Sequence, residues 1–191
     1  LLSEKFSHFL DKPLTPLAKA LPVNPNIITF IGMIITSLSG FIIPFNLFWG
    51  GIFILAGGTF DLIDGVVARV NGRVTKFGAL FDSTMDRIAD GFIFLGISWY
   101  FFRVSSETGL IINLLCMIAS FLISYVRARA EGIGVSCNVG IIERPERLII
   151  LAFGCLTSLI NPVLLILTVL SWITVIQRII YVRKQIKSLP Q

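Results

Sequence analysis

Asp61-Leu62-Ile63-Asp64-Gly65-Val66-Val67-Ala68-Arg69, followed after eight residues by Gly78-Ala79-Leu80-Phe81-Asp82-Ser83-Thr84-Met85-Asp86, is the stretch that decides the architecture of this chain. Asp61 and Asp64 are three apart and Asp82 and Asp86 four apart, so on helices each pair shares one face, and the short intervening loop lets the two faces meet. Four carboxylates then converge. Two like charges about 4 Å apart repel by about 4 kcal/mol at an effective dielectric near about 20, so the cluster calls for protonation or a bound cation. Hard oxygen ligands favour magnesium, manganese or calcium. Gly65 and Ala68 keep the same neighbourhood free of bulk, which lets a large ligand approach the backbone.

Outward from this stretch the sequence is that of a membrane protein. Of 191 residues, 55% are hydrophobic and 14% charged, against about 25% charged in soluble domains. Apolar runs long enough to cross about 30 Å of hydrocarbon recur throughout and leave no room for a soluble domain. The expected fold is an all-α integral membrane bundle of six transmembrane helices, a single domain over 1–191 with the bundle at 26–183. The six spans run from about Asn26 to Phe45, Leu47 to Val67, Gly78 to Arg103, Gly109 to Ala130, Pro145 to Ile160, and Asn161-Pro162 to Arg183. Residues 3–20 interleave Phe6, Phe9, Leu10, Leu14 and Leu17 with Lys5, Lys12 and Lys19, the pattern of an amphipathic helix lying in the interface. No Gly-x-x-x-Gly pair argues for a tight crossing of that type. Leu1-Leu2-Ser3-Glu4-Lys5 has no apolar core or cleavage site, so no cleaved signal peptide is expected. Cys116, Cys137 and Cys155 are widely spaced and read as packing residues.

Lysine and arginine crowd into the N-terminal arm, the second and fourth connections and the tail, with Arg103 alone at the other end. The positive-inside rule therefore places both termini and the aspartates at the cytoplasmic face of the cell membrane. A net charge of +5 favours anionic headgroups. It makes no case for nucleic acid, because the basic residues lie between spans. An aspartate at mid-bilayer costs about 2.5–3.5 kcal/mol, so an intramembrane acidic cluster signals function. His8 reads as an interfacial residue and Asp90, one turn beyond Asp86, as a partner for Arg87 or a loop arginine.

The pattern D-x-x-D-G-x-x-A-R, eight residues, G-x-x-x-D-x-x-x-D resembles the signature of the CDP-alcohol phosphotransferase family at every fixed position. The resemblance implies a metal-dependent membrane enzyme with two Mg2+ or Mn2+ ions. Asp61, Asp64, Asp82 and Asp86 would ligate metal, with Asp86 also the general base. Asn26, Thr29, Asp61, Asp64, Gly65, Ala68, Arg69, Gly78 and Asp82 would hold the cytidine diphosphate, Asn26 and Thr29 through similarity in Pro25-Asn26-Ile27-Ile28-Thr29. A second stretch, Ser124-Tyr125-Val126-Arg127-Ala128-Arg129-Ala130-Glu131 with Ile142-Glu143-Arg144-Pro145-Glu146-Arg147-Leu148, is similar to the branch that makes phosphatidylinositol phosphate or its archaeal ether counterpart.

That branch takes inositol 1-phosphate, and its phosphate pocket maps onto Ser124, Arg127, Pro145, Arg147 and Arg178. The residues themselves agree in part. Ser124 and Arg127 share a helical face, Arg147 lies in a first helical turn that already favours an anion, and a cation at Arg178 inside a span would be costly without a partner. Arg129 and Arg144 read as structural. The resemblance further implies a homodimer working on CDP-diacylglycerol or CDP-archaeol. Two other readings stand beside it: transfer to glycerol 3-phosphate, and a divalent-cation transporter, which the gathering of all four aspartates toward one face disfavours.

Overall fold

The computed structural model describes residues 15, 16 and 23–188 and contains six long helices, so the expected interfacial helix and His8 lie outside the described residues save for 15 and 16. In chain order the helices are α1 (Pro25–Ile42), α2 (Leu47–Val70), α3 (Lys76–Arg103), α4 (Glu107–Glu131), α5 (Arg144–Leu156) and α6 (Ile160–Ser188). Their ends follow capping chemistry. The Asn24, Asn46, Thr75 and Ser106 side chains accept from the otherwise free N–H groups of Asn26, Trp49, Gly78 and Gly109 at the starts of α1 to α4. At α5, Pro145 sits in the first turn and the Glu146 carboxylate accepts from the Glu143 N–H at 3.1 Å. Gly72, at φ +63°, supplies the left-handed turn between α2 and α3.

Four of the helices, α1, α2, α4 and α6, are long and apolar enough to cross a membrane. The other two differ from the expected spans in instructive ways. α3 has the length, 28 residues, but Asp82, Asp86, Arg87 and Asp90 interrupt its hydropathy. α5 ends at Leu156 after 13 residues, about 20 Å of rise against about 30 Å of hydrocarbon. α2 instead runs three residues past the expected Val67, which keeps Ala68 and Arg69 on the helix that carries Asp61 and Asp64.

Around a largely apolar core, the outer surface is apolar too, and a set of polar side chains is turned inward. Ile27, Phe30 and Phe41 on α1, Leu95 and Phe102 on α3 and Ile166 and Ile176 on α6 are exposed, whereas Thr36, Ser39, Asn113, Ser171 and Thr174 are inaccessible. A surrounding of lipid explains this, because apolar side chains gain nothing by leaving hydrocarbon while polar groups turn inward, where several meet partners although Thr36 Oγ1 and Ser171 Oγ have none among the described residues. Asn113 on α4, for instance, donates from its amide to the Phe94 carbonyl at 2.9 Å and to Ser98 Oγ at 2.8 Å on α3. The three cysteines are free and buried, in keeping with a packing role.

α1 packs on α2 and α3, α2 on α5, α3 on α4, and α4 and α5 on α6. The sequence holds no Gly-x-x-x-Gly pair, yet α1 and α3 cross on facing single glycines: a Cβ on Gly96 would lie 2.3 Å from the Gly40 carbonyl oxygen. That contact is backbone against backbone and cannot be relieved by a rotamer. Gly96→Ala is therefore expected to lower stability by about 1–3 kcal/mol in detergent unfolding. Gly91→Ala on the same helix, where the nearest atom is 3.8 Å away, should be neutral or gain up to about 1 kcal/mol from helix propensity. Equal losses at both positions would contradict this account of the crossing.

Candidate active site

At one end of the bundle, α2 and α3 lay their acidic residues side by side. Asp64 and Asp90 are each 5% exposed, and Asp61, Asp82 and Asp86 are partly buried. Thr29 on α1 donates its hydroxyl to the Asp64 carboxylate. Arg144, in the first turn of α5, reaches in and donates through its guanidinium to Asp61, to Asp86 at 2.8 Å and to Asp90 at 3.2 Å. Arg144, read from the sequence as structural, is the cation that ties three of these aspartates together.

Asp90 is an ion-pair partner, as its position implied, and it serves three arginines. Besides Arg144 it faces Arg147 at 3.4 Å and Arg87 at 3.8 Å. Arg147 is 3% exposed and its remaining contact is the Ser120 carbonyl at 3.4 Å. Arg178, 2% exposed, donates to the Val139 and Ile123 carbonyls at 2.8 and 2.7 Å and faces Glu143 at 3.8 Å. A guanidinium buried at these depths is tolerable because each is paired.

Three cavities open around Asp82. The first, about 340 Å³, lies between the starts of α1 and α3 and the end of α2. It is lined by Asn26, Thr29, Asp64, Gly65, Ala68, Arg69, Gly78 and Asp82, all from the nucleotide set named above. Asp61, the ninth member of that set, lies elsewhere. Arg73 and Thr75 also line this cavity; neither was singled out from the sequence, because a polar turn residue looks the same whether it faces solvent or a ligand.

The second cavity, about 420 Å³, is bounded by α3, α4, α5 and α6 and is lined by Asp82 and Asp86 together with Ser124, Arg127, Pro145, Arg147 and Arg178. All five residues assigned to the acceptor phosphate therefore share one chamber, although Arg127 also pairs at 3.0 Å with Glu131. Ser83, Arg87, Glu131, Glu143 and Arg144 complete its polar lining. The third, about 260 Å³, is a crevice between α2 and α5, where Asp61, Asp82, Asp86 and Arg144 meet the apolar Gly58, Leu62, Leu148 and Ile149.

The donor set fits a hard divalent cation. The carboxylates come from two consecutive helices, and the guanidinium among them, that of Arg144, offsets only part of their charge. Among the described residues no three carboxylates close on one point at metal-ligand spacing; with Arg144 between Asp61 and Asp86, the set is held apart.

Comparison with known proteins agrees with this geometry. The family profile described as CDP-alcohol phosphatidyltransferase matches residues 22–180. The archaetidylinositol phosphate synthase of Methanothermobacter thermautotrophicus is 37% identical, over 96% of this chain and 95% of that enzyme. Two crystal structures of the Mycobacterium tuberculosis phosphatidylinositol phosphate synthase are 36% identical. One, with CDP-DAG bound, superposes with a TM-score of 0.82 over 88% of this chain and 92% of that one. The other, in complex with manganese and citrate, gives 0.83 over 88% of each. With its signature aspartates, Gly65, Ala68, Arg69 and Gly78 gathered at one end of a six-helix bundle, and with the family profile covering most of its length, this chain belongs to the CDP-alcohol phosphatidyltransferase family.

Proposed function

We propose that this chain transfers a phosphatidyl-type group, diacylglycerol or archaeol phosphate, from its CDP-activated form to inositol 1-phosphate and releases CMP. The observation that carries the reading is the meeting of three chemically different cavities on Asp82, two of which also share Asp86. The cavity with Asn26, Thr29, Arg69 and the small residues Gly65, Ala68 and Gly78 suits the cytidine diphosphate. The apolar crevice between α2 and α5 suits the lipid chains near the reacting phosphorus. The arginine chamber suits an acceptor bearing a phosphate, since Arg147 and Arg178 hold fixed positive charge where solvent is scarce.

Asp86, like Asp82, lines both the acceptor chamber and the crevice, and it is the carboxylate to which the family resemblance gives the proton of the inositol hydroxyl. That oxygen forms a new bond to the lipid-side phosphorus, and the bond from this phosphorus to the bridging oxygen breaks as CMP leaves. Two Mg2+ or Mn2+ ions held by Asp61, Asp64, Asp82 and Asp86 would neutralise the pyrophosphate and the developing charge. Arg127, Arg147 and Arg178 orient the acceptor through its phosphate, and Asp90 holds Arg147 in place.

The same reading has all six helices embedded in the bilayer. Exposed Leu95, Trp99 and Phe102 on α3, and Ile149 and Phe153 on α5, support it. Basic residues at the aspartate end support a cytoplasmic active site. The homodimer belongs to the reading by resemblance alone and is checked by the mass of the solubilised particle.

A product assay with CDP-diacylglycerol and CDP-archaeol, against labelled inositol 1-phosphate, glycerol 3-phosphate and serine, should give metal-dependent CMP release with inositol 1-phosphate. Preferential use of glycerol 3-phosphate would move the chain to another branch of the family. Asp86→Asn is expected to lower kcat by at least about a hundredfold while CDP-lipid still binds; loss of that binding would remove Asp86 from the base role. Arg144→Gln removes the internal cation competing for Asp61 and Asp86. It should lower the melting temperature of metal-free protein and tighten Mn2+ binding at least about fivefold by calorimetry. Weaker Mn2+ binding would mean that Arg144 helps to build the ion site.

A further inference from the structure

One further cavity has no part in the chemistry above. It is a groove of about 490 Å³ between the last turns of α4 and of α6, at the same end of the bundle as the aspartates. The walls are apolar, formed by Ile133, Ile179, Val182 and Ile186, and Arg129 from α4 with Arg183 and Lys187 from α6 supply its only charges. No carboxylate lines it, and among the described residues none of these three cations has an ion-pair partner. In the acceptor chamber, by contrast, Glu131 and Glu143 pair with Arg127 and Arg178.

The two sites lie back to back. Along the end of α4, Ser124, Arg127, Ala128 and Glu131 line the acceptor chamber, whereas Tyr125, Val126, Arg129 and Ala130 line the groove. On α6, Arg178 faces the chamber, and Ile179 and Val182 face the groove. The groove is therefore separate from the reacting centre, and nothing in the transfer reaction needs it.

We propose that this groove binds an anionic phospholipid of the surrounding leaflet, an acyl chain against its isoleucines and the headgroup phosphate at Arg129, Arg183 and Lys187. An apolar trough ending in unpaired cations at the level of the headgroups complements a lipid anion and matches a water-soluble anion poorly. Tyr125, 64% exposed at its edge, is an aromatic of the interfacial type. A second copy of the chain is a weaker occupant, because a two-fold contact would bring two sets of like cations together without a carboxylate to separate them. The inference depends on the membrane setting and not on which acceptor the enzyme uses.

The test is native mass spectrometry of the purified full chain with an equimolar mixture of dioleoyl phosphatidylglycerol and dioleoyl phosphatidylcholine. Wild-type protein should retain phosphatidylglycerol in about tenfold preference, and R129Q/R183Q/K187Q should reduce that preference to near unity with an unchanged melting temperature. Should the triple variant unfold, Arg183→Glu alone at its exposed position must still lower the preference. Equal retention of both lipids by wild-type protein, or an undiminished preference in the variants, overturns the proposal. So does displacement of the lipid by CDP, which would put it in the active site, or efficient interchain cross-linking of an Ile179→Cys variant, which would put a second copy in the groove.

Discussion

Five carboxylates on two neighbouring helices, inside a bundle whose outer surface is apolar, set a charge-balance condition that the rest of the molecule meets. In water Asp61, Asp64, Asp82, Asp86 and Asp90 would repel weakly; in a medium of low dielectric the same groups require cations close by. α5 delivers two of these, since Arg144 and Arg147 enter the cluster from its first turn. A helix start is a poor place for cations on dipole grounds alone, so their retention there depends on the aspartates opposite.

The condition also orders the cavities. Asp82 and Asp86 stand where the arginine chamber meets the apolar crevice, and Asp64, held by Thr29, closes the polar cavity on the other side. A nucleotide-linked lipid is itself divided into a polar part, a doubly charged bridge and a greasy part. In the proposed reading the polar cavity and the apolar crevice, joined at carboxylates, match those parts without forcing lipid chains through polar space, and the arginine chamber is left to the acceptor. The branch of the family reached through the acceptor residues then rests on buried, fixed arginines, which demand an anionic group more strictly than a solvated lysine would.

Much of this was legible in the primary structure because membrane sequence is strongly constrained. Unbroken apolar runs must be helical where water is absent, so α1, α2, α4 and α6 could be placed to within a few residues. The i, i+3 and i, i+4 spacings located the acidic faces, and the residues assigned to the acceptor phosphate do share one chamber. The partners of Arg144 were not legible, and for a physical reason. Its neighbours in sequence, Glu143 and Glu146, offered local partners, whereas its actual partners lie more than fifty positions away on α2 and α3. The crossing of α1 and α3 escaped in the same manner, since Gly40 and Gly96 make a pair only once the helices are side by side.

What the amino-acid sequence by itself determined is the class of molecule: an all-helical membrane bundle, its acidic pairs, and the family signature they form. Periodicity and hydropathy are properties of contiguous residues, so they survive without knowledge of the fold. Tertiary structure alone decided which cation neutralises which carboxylate, how the space around Asp82 divides into three, and that the end of α4 turns one face to the acceptor chamber and the other to a basic, apolar groove. Those are relations between helices, fixed by packing at distances that no local pattern encodes.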